Sequence, residues 1–210
     1  MVGQAAAGRM SEASLVVGDL EYRLAGPDDE PDLRRLLAET PLGGGWGLSL
    51  TREPDAFAAD FGLAERHDVV VAREVSGGRL VGLAERLVSE AHVDGVVRRL
   101  PYLGALRVAP DRRGRIAVLR NGFRVLRERA ERPDELPFAL TSITADNTAA
   151  RRVLGAGLGG LPVYRPVGDF STFALRPRRG RSAACIAPAT AADLPAFAAF
   201  LTANLARHQF

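Results

Sequence analysis

The sequence predicts an α/β (α+β) fold, because short apolar runs typical of strands alternate with longer segments of helical spacing. Residues 103–108 form a run short enough for a buried strand. From residue 116 to 132, apolar side chains recur on one face of a predicted helix. Residues 138–143 then predict another strand, and residues 148–154 another helix.

The remaining elements follow in chain order. Residues 21–25 predict a first strand, and the acidic turn after it can cap a first helix. Residues 54–61 predict a second helix, and strands follow at 68–72 and 79–88, joined by a glycine-rich hairpin turn. A final strand is predicted at 170–175. The order is therefore strand, two helices, three strands, helix, strand, helix, strand.

The 210 residues are enough for one domain of about 150 residues and additional segments. Residues 1–19 predict a disordered N-terminal lead-in, and residues 20–177 the main domain. Residues 178–210 predict a basic linker and the start of a second, incomplete domain of the same type, since residues 186–201 repeat the strand, acidic cap and helix of residues 22–37. The alternative is a C-terminal helix that packs on a single domain.

Composition narrows the class of protein. The chain is 47% hydrophobic and 25% charged, which is ordinary for a soluble globular protein. It has neither an apolar run that could cross a bilayer nor a signal peptide, so we expect it in the cytoplasm. Cys185 is the only cysteine and is expected to be an inert thiol.

The formal net charge is +3, and all 28 basic residues counted in it are arginines, since the chain contains no lysine. The arginines alternate with acidic residues and lack interleaved aromatic side chains, a pattern that favours a solvated helix face over a nucleic-acid interface. Nucleic-acid binding remains a third, weaker hypothesis.

A basic turn joins the strand at 103–108 to the helix that begins at residue 116. Arg112, Arg113 and Arg115 lie in this turn, with Gly114 between them. Free N–H groups at a helix N-terminus and guanidinium groups beside them favour phosphate oxygens. The turn therefore predicts a site for an anionic ligand, and the alternative is an ordinary solvated turn.

The motifs in this region resemble the GNAT superfamily of acyl-CoA-dependent N-acyltransferases. Val108-Ala109-Pro110, Arg113-Gly114-Arg115 and Asn147-Thr-Ala-Ala150 match the family pattern in order and register, and the resemblance covers roughly residues 22–176. It implies a GNAT-like mixed, mostly antiparallel central sheet with helices on both faces. Two positions depart from the family: the loop is poor in glycine from Ile116 onward, and Leu154 stands where a catalytic tyrosine often lies.

The resemblance implies that acetyl-CoA, as co-substrate, lies between the strands at 103–108 and 138–143. Backbone groups of residues 106–108 would contact the pantetheine and the thioester carbonyl. The residues expected to bind coenzyme A are Leu106, Arg107, Val108, Arg112, Arg113, Gly114, Arg115, Ile116, Ala117 and Asn147.

The candidate catalytic residues are less well defined. Glu85 is the first candidate for the general base, with His92 as an alternative, and Tyr164 could replace the missing tyrosine as acid. Each has a structural alternative. Glu85 could be an outward-facing strand residue, His92 an exposed histidine without a role, and Tyr164 a tyrosine packed in the core. No metal site is predicted, because His67, His208 and Cys185 lack the spacing of metal ligands.

The leading hypothesis is an N-acyltransferase that transfers an acyl group, most simply acetyl, from acyl-CoA to an unidentified amine acceptor in a ternary complex. The alternative is a non-catalytic acyl-CoA-binding or regulatory module on the same fold. No nucleic-acid or membrane partner is expected, and a homodimer is an open alternative to a monomer.

Overall fold

A five-stranded sheet arranges its strands in the order in which they follow along the chain. The strands are β1 (Leu15–Val17), β2 (Leu20–Leu24), β3 (Arg66–Glu74), β4 (Leu80–Val93) and β5 (Val96–Val108). β1 through β4 pair antiparallel with their neighbours. The helices of the described residues are α1 (Glu30–Glu39), α2 (Ile116–Ala130), α3 (Thr148–Gly155) and α4 (Leu194–Leu205).

The computed structural model describes residues 14–41, 50–57, 64–130, 132–173, 176 and 187–207. The chain divides into two units. The first unit comprises Met1–Glu90 and Arg99–Tyr164, and the second comprises Ala91–Arg98 and Arg165–Phe210.

The sheet of the first unit carries one helix on each face. Alternate residues of β3 point to opposite faces, because side chains on a strand have a period of two. Val70 and Ala72 pack in one apolar cluster with α2, whereas Val69 and Val71 pack in another with α1. The predicted α/β (α+β) fold class, with helices on both faces of the sheet, is confirmed.

The predicted strand at 138–143 is wrong as a regular strand. Two isolated parallel bridges join β5 to this part of the chain, Arg99 with Glu135 and Tyr102 with Leu140. They make the sheet mixed but mostly antiparallel, as expected. The pairing is short: the described backbone hydrogen bonds between the two segments end at Leu103.

Three other sequence predictions, for residues 1–19, 54–61 and 170–175, were wrong for those of their residues that the structure describes. β1 forms within the supposed lead-in 1–19, because Gly18 adopts a positive φ of 63° and turns the chain back into β2. Residues 54–57 carry no helix, and the rest of the helix predicted at 54–61 lies outside the described residues. Residues 170–173 are not a strand: Phe170 and Phe173 stay exposed, and no described strand pairs with them. An apolar run alone does not show whether a pairing neighbour exists.

The second unit contains the tip of the β4–β5 hairpin and α4. Asp94 and Gly95 turn the hairpin with φ values of 52° and 75°. α4 keeps its apolar side chains exposed: Leu194, Phe197, Phe200, Leu201 and Leu205.

The domain boundaries 20–177 and 178–210 stay predictions. Within the described residues, we find no helix both long and apolar enough to traverse a lipid bilayer.

Candidate active site

β5 leaves its outer neighbour at Leu103, and the sheet opens there. Leu103 N–H donates to the Leu140 carbonyl at 2.8 Å, and the Thr141 hydroxyl donates to the Leu103 carbonyl at 2.8 Å. Two residues later, Ala105 adopts a φ of 48°, a left-handed conformation that is uncommon for a residue with a Cβ. Residues 106–108, where the sequence predicted contact with the thioester, follow directly on this outer edge of β5.

Ala105 also reverses the alternation of side chains along β5. Leu103 packs against the cluster on the α2 face, whereas Ala105 packs against the cluster on the α1 face. Without a reversal, the two side chains would share a face. Beyond this point, the Leu106 carbonyl accepts from Arg107 Nη1 at 3.0 Å and the Val108 carbonyl from Arg113 Nε at 3.4 Å.

The basic turn after β5 separates into two parts. Arg112 is mostly buried, and its guanidinium donates to Asp19 at 2.7 Å and to Glu74, so it ties the β1–β2 turn to the end of β3. These hydrogen bonds raise the pKa of Arg112 above its ordinary value. Arg112 therefore has a structural role that the sequence did not reveal.

Arg113, Gly114 and Arg115 are exposed just before α2. Gly114 has a φ of 79°, which favours glycine at this position. Ile116 and Ala117 are the first residues of α2, where backbone N–H groups lack partners from a preceding helical turn. This part of the turn keeps the geometry expected of an anion site.

Asn147 caps α3, as the sequence allowed. Its Oδ1 accepts from Ala150 N–H at 3.1 Å. Leu154 is buried, so the position of the missing tyrosine belongs to the core. Tyr164 is half-buried, and burial raises the pKa of its phenol.

Glu85 lies in a buried polar cluster together with Arg52, His67 and Arg107. It pairs with Val69 across β3 and β4 and therefore faces α1. Its Oε2 accepts from Arg52 Nη2 at 2.7 Å and lies 3.9 Å from His67 Nε2. Burial lowers the pKa of Arg107, the nearby negative charge of Glu85 acts in the opposite direction, and the positive charge of Arg52 lowers it further. We call these four residues the Glu85 cluster.

An open cleft reaches the Glu85 cluster at His67. The cleft has a volume of about 730 Å³. Its walls come from the end of β2, the start of α1, residues 54–57 and the first half of β3. This cleft could admit a small polar molecule to the α1 face of the sheet.

Sequence reasoning found Glu85 but missed Arg52 and His67 as members of the cluster. The sequence around Arg52 carries no pattern that would indicate a buried ion pair. His67 lies two residues before the buried Val69 on the same face of β3, so its burial could have been anticipated from the period of two. His92 lies on the part of β4 that belongs to the second unit. Residues 42–49, which precede Arg52 in the sequence, lie outside the described residues.

Comparison with known proteins begins at the level of sequence. No model of a protein family matches this chain, and no curated protein matches it significantly. Fifteen solved chains do match it in structure.

The solved structures include several acetyltransferases. A Trypanosoma brucei acetyltransferase aligns over 75% of this chain and 100% of its own, with 19% identity and a TM-score of 0.49. The aminoglycoside 6′-N-acetyltransferase AAC(6′)-Ih of Acinetobacter baumannii aligns over 74% and 99%, with 14% identity and a TM-score of 0.49. AAC(6′)-Iy, solved with the bisubstrate analogue CoA-S-monomethyl-acetylneamine, aligns over 74% and 100%, with 16% identity and a TM-score of 0.46.

This chain is similar to GNAT-family acetyltransferases in general fold. The similarity is with the class of protein that the motifs of residues 108–150 resemble. At these identities and TM-scores it carries no argument about activity or substrate, which have to rest on the residues of this chain.

Proposed function

We propose that this chain is an acyl-CoA-dependent N-acyltransferase that transfers an acyl group, most simply acetyl, to an amine. The observation that carries the proposal is the opening of the sheet beside β5, directly before the basic turn and α2. A thioester held along residues 106–108 would have its pyrophosphate close to the N-terminus of α2. Backbone N–H groups and a helix N-terminus suit these two parts of one ligand.

The phosphates of coenzyme A are assigned to Arg113, Gly114, Arg115 and the N–H groups of Ile116 and Ala117. The guanidinium groups of Arg113 and Arg115 are exposed and can form charge-assisted hydrogen bonds with phosphate oxygens. In this proposal Arg112 supports the turn through its ion pairs, and Asn147 borders the pantetheine while it caps α3.

The amine nitrogen attacks the thioester carbonyl, the C–S bond breaks, and the amide and free thiol are formed. N–H groups of residues 106–108 polarise the carbonyl and stabilise its developing negative charge. Glu85 is the first candidate to accept the proton lost by the amine, and His92, which is not part of the Glu85 cluster, is the alternative named from the sequence. The departing thiolate takes a proton from Tyr164 or from water.

Replacement of Arg113 and Arg115 by alanine tests the binding site. We expect acetyl-CoA affinity, measured by calorimetry, to weaken by about 1–3 kcal/mol, because charged hydrogen bonds are lost. Arg124→Ala is the matched control, since Arg124 is also an exposed arginine of this region and pairs with Glu128 along α2. Unchanged affinity in the double variant would refute the placement of the phosphates.

Release of free thiol from acetyl-CoA with a panel of amines tests the activity. An amine-dependent release is expected for the transferase. Binding of acetyl-CoA without release for any amine would favour the non-catalytic module instead.

A further inference from the structure

Two guanidinium nitrogens of Arg107 are buried and have no hydrogen-bond partner among the residues that the structure describes. The residue is 94% buried, and its Nη1 donates to the Leu106 carbonyl at 3.0 Å. Its Nε and Nη2 are buried and have no hydrogen-bond partner among the described residues. Buried polar groups are nearly always hydrogen-bonded, and an uncompensated buried charge is costly. This guanidinium therefore needs a functional explanation.

The two unpartnered atoms form one edge of the guanidinium. The N–H groups of Nε and Nη2 point in parallel, and this spacing matches the two oxygens of a carboxylate. Nη1, on the other edge, is already used by the main chain of the same strand. The side chain is thus fixed in orientation with a two-donor edge available.

The neighbours of Arg107 do not supply the missing anion. Glu85 is the carboxylate whose negative charge acts on Arg107, but its Oε2 already accepts a hydrogen bond from Arg52 Nη2 at 2.7 Å. No ion pair between Arg107 and a carboxylate of the described residues lies within 4 Å. His67 adds two more buried nitrogens without a hydrogen-bond partner in the described part of the chain, and it lines the cleft. Arg107 and His67 therefore contribute four buried nitrogens without a hydrogen-bond partner among the described residues.

We propose that Arg107 binds a carboxylate group of the substrate through Nε and Nη2. The inference rests on the proposed function, and it deepens that function by naming the chemical class that the site takes. The carboxylate could belong to the amine acceptor, as in an amino acid or a peptide, or to the acyl group, as in a dicarboxylic acid monothioester. In either case Arg107 selects the substrate and does not take part in proton transfer.

The stability of Arg107→Met separates this role from a structural one. Methionine keeps an unbranched, flexible apolar side chain, although a shorter one, and removes the desolvation cost of the charge. We expect the thermal midpoint of the variant to equal or exceed that of the wild-type protein. A clear decrease would show that Arg107 holds the fold together and would overturn the proposal.

Small anions test the binding directly. At constant ionic strength, replacing chloride with sodium propionate should raise the thermal midpoint of the wild-type protein but not that of Arg107→Met. Arg107→Lys keeps the charge without the two-donor edge and should respond weakly. Arg124→Met is the control for a general effect of removing arginine. Absence of a propionate effect in the wild-type protein, or an effect of inorganic phosphate alone, would overturn the assignment to a carboxylate.

Two further measurements distinguish the sources of the carboxylate. If it belongs to the acyl group, the wild-type protein binds succinyl-CoA at least tenfold more tightly than acetyl-CoA, and Arg107→Met loses the difference. If it belongs to the acceptor, acetyl transfer to amino acids exceeds transfer to their amides, and Arg107→Met loses that preference. If the wild-type protein binds acyl-CoA but shows neither preference, the proposal is overturned. A protein that binds neither acetyl-CoA nor succinyl-CoA but still shows the propionate effect would contradict only the proposed function.

Discussion

Glu85 is both a candidate base and half of a buried ion pair. Its carboxylate is 96% buried with the rest of the residue and accepts from Arg52, while His67 lies 3.9 Å away. A substitution at this residue therefore changes proton transfer and packing together. The two effects have to be separated by experiment.

If Glu85 accepts the proton, Glu85→Gln should lower the transfer rate by roughly 10²–10⁴-fold, with acetyl-CoA affinity preserved. Loss of the buried ion pair should also destabilise the fold by about 3–5 kcal/mol, so rates are compared per folded molecule at a temperature well below the midpoint. His67→Gln is the companion variant, because His67 Nε2 lies 3.9 Å from Glu85 Oε2.

A near-normal rate in Glu85→Gln would contradict the assignment. The role would then pass to His67 if His67→Gln is inactive, or to His92 or solvent if both variants are active. Equal losses in the two single variants and in the double variant would show that Glu85 and His67 act as one unit.

Among the elements, α3 offers the simplest test, because one side chain holds its N-terminus. Asn147→Ala should lower the free energy of unfolding by about 1 kcal/mol, since the bond from Ala150 N–H to Oδ1 is lost. Asn147→Asp keeps an acceptor and is the matched control. Urea denaturation measures the difference, and equal stability of all three proteins would contradict the capping role.

The elements were predictable where one strand or helix buries one face. The helix from residue 116 was predicted to within two residues of its end, because its apolar spacing repeats over four turns. The strand at 138–143 was not predicted correctly, since its pairing depends on a neighbour, β5, whose described hydrogen bonds to it end at Leu103.

For the site, the sequence indicated the basic turn and Glu85. The Glu85 cluster depends on how β3, β4 and β5 align, which no local pattern records.

At the scale of the whole molecule, ion pairs between distant segments make stability depend on pH. Hydrogen bonds from Arg79 and Arg112 hold the pKa of Glu74 at about 2, below its ordinary value of 4.5. Asp29 is buried, which alone would raise its pKa, but hydrogen bonds from Arg23, the Gly26 N–H and Arg73 lower it overall. Carboxylates with lowered pKa values stabilise the folded state above their ordinary pKa and lose that contribution as the pH falls.

We therefore expect the free energy of unfolding to fall between about pH 4.5 and pH 2. Glu74→Gln should be less stable at neutral pH and should show a shallower fall over this range. Chemical denaturation at a series of pH values measures both. Parallel curves for the two proteins would contradict a folded-state ion pair at Glu74.

The domain boundary at residue 177 is tested by deletion. Removing residues 182–210 should leave the thermal midpoint of the remainder nearly unchanged if the segment starts a separate domain, and protease should cleave first near residues 178–181. The exposed phenylalanines of α4, Phe197 and Phe200, fit a helix whose apolar face is not covered by the described residues of its own unit. A large fall in the midpoint would show that the segment completes the main domain.

The left-handed residue Ala105 links two parts of the proposed site, the guanidinium of Arg107 and the main chain of residues 106–108. Because Ala105 reverses the parity of the strand, Arg107 faces the Glu85 cluster, while the main chain of residues 106–108 forms the free edge of the sheet. Relaxing that one dihedral angle would send the guanidinium toward the apolar α2 face and move the edge groups at the same time. In the proposed enzyme, a change of backbone conformation at Ala105 would therefore alter the edge assigned to the acyl donor and the position of the Arg107 guanidinium together.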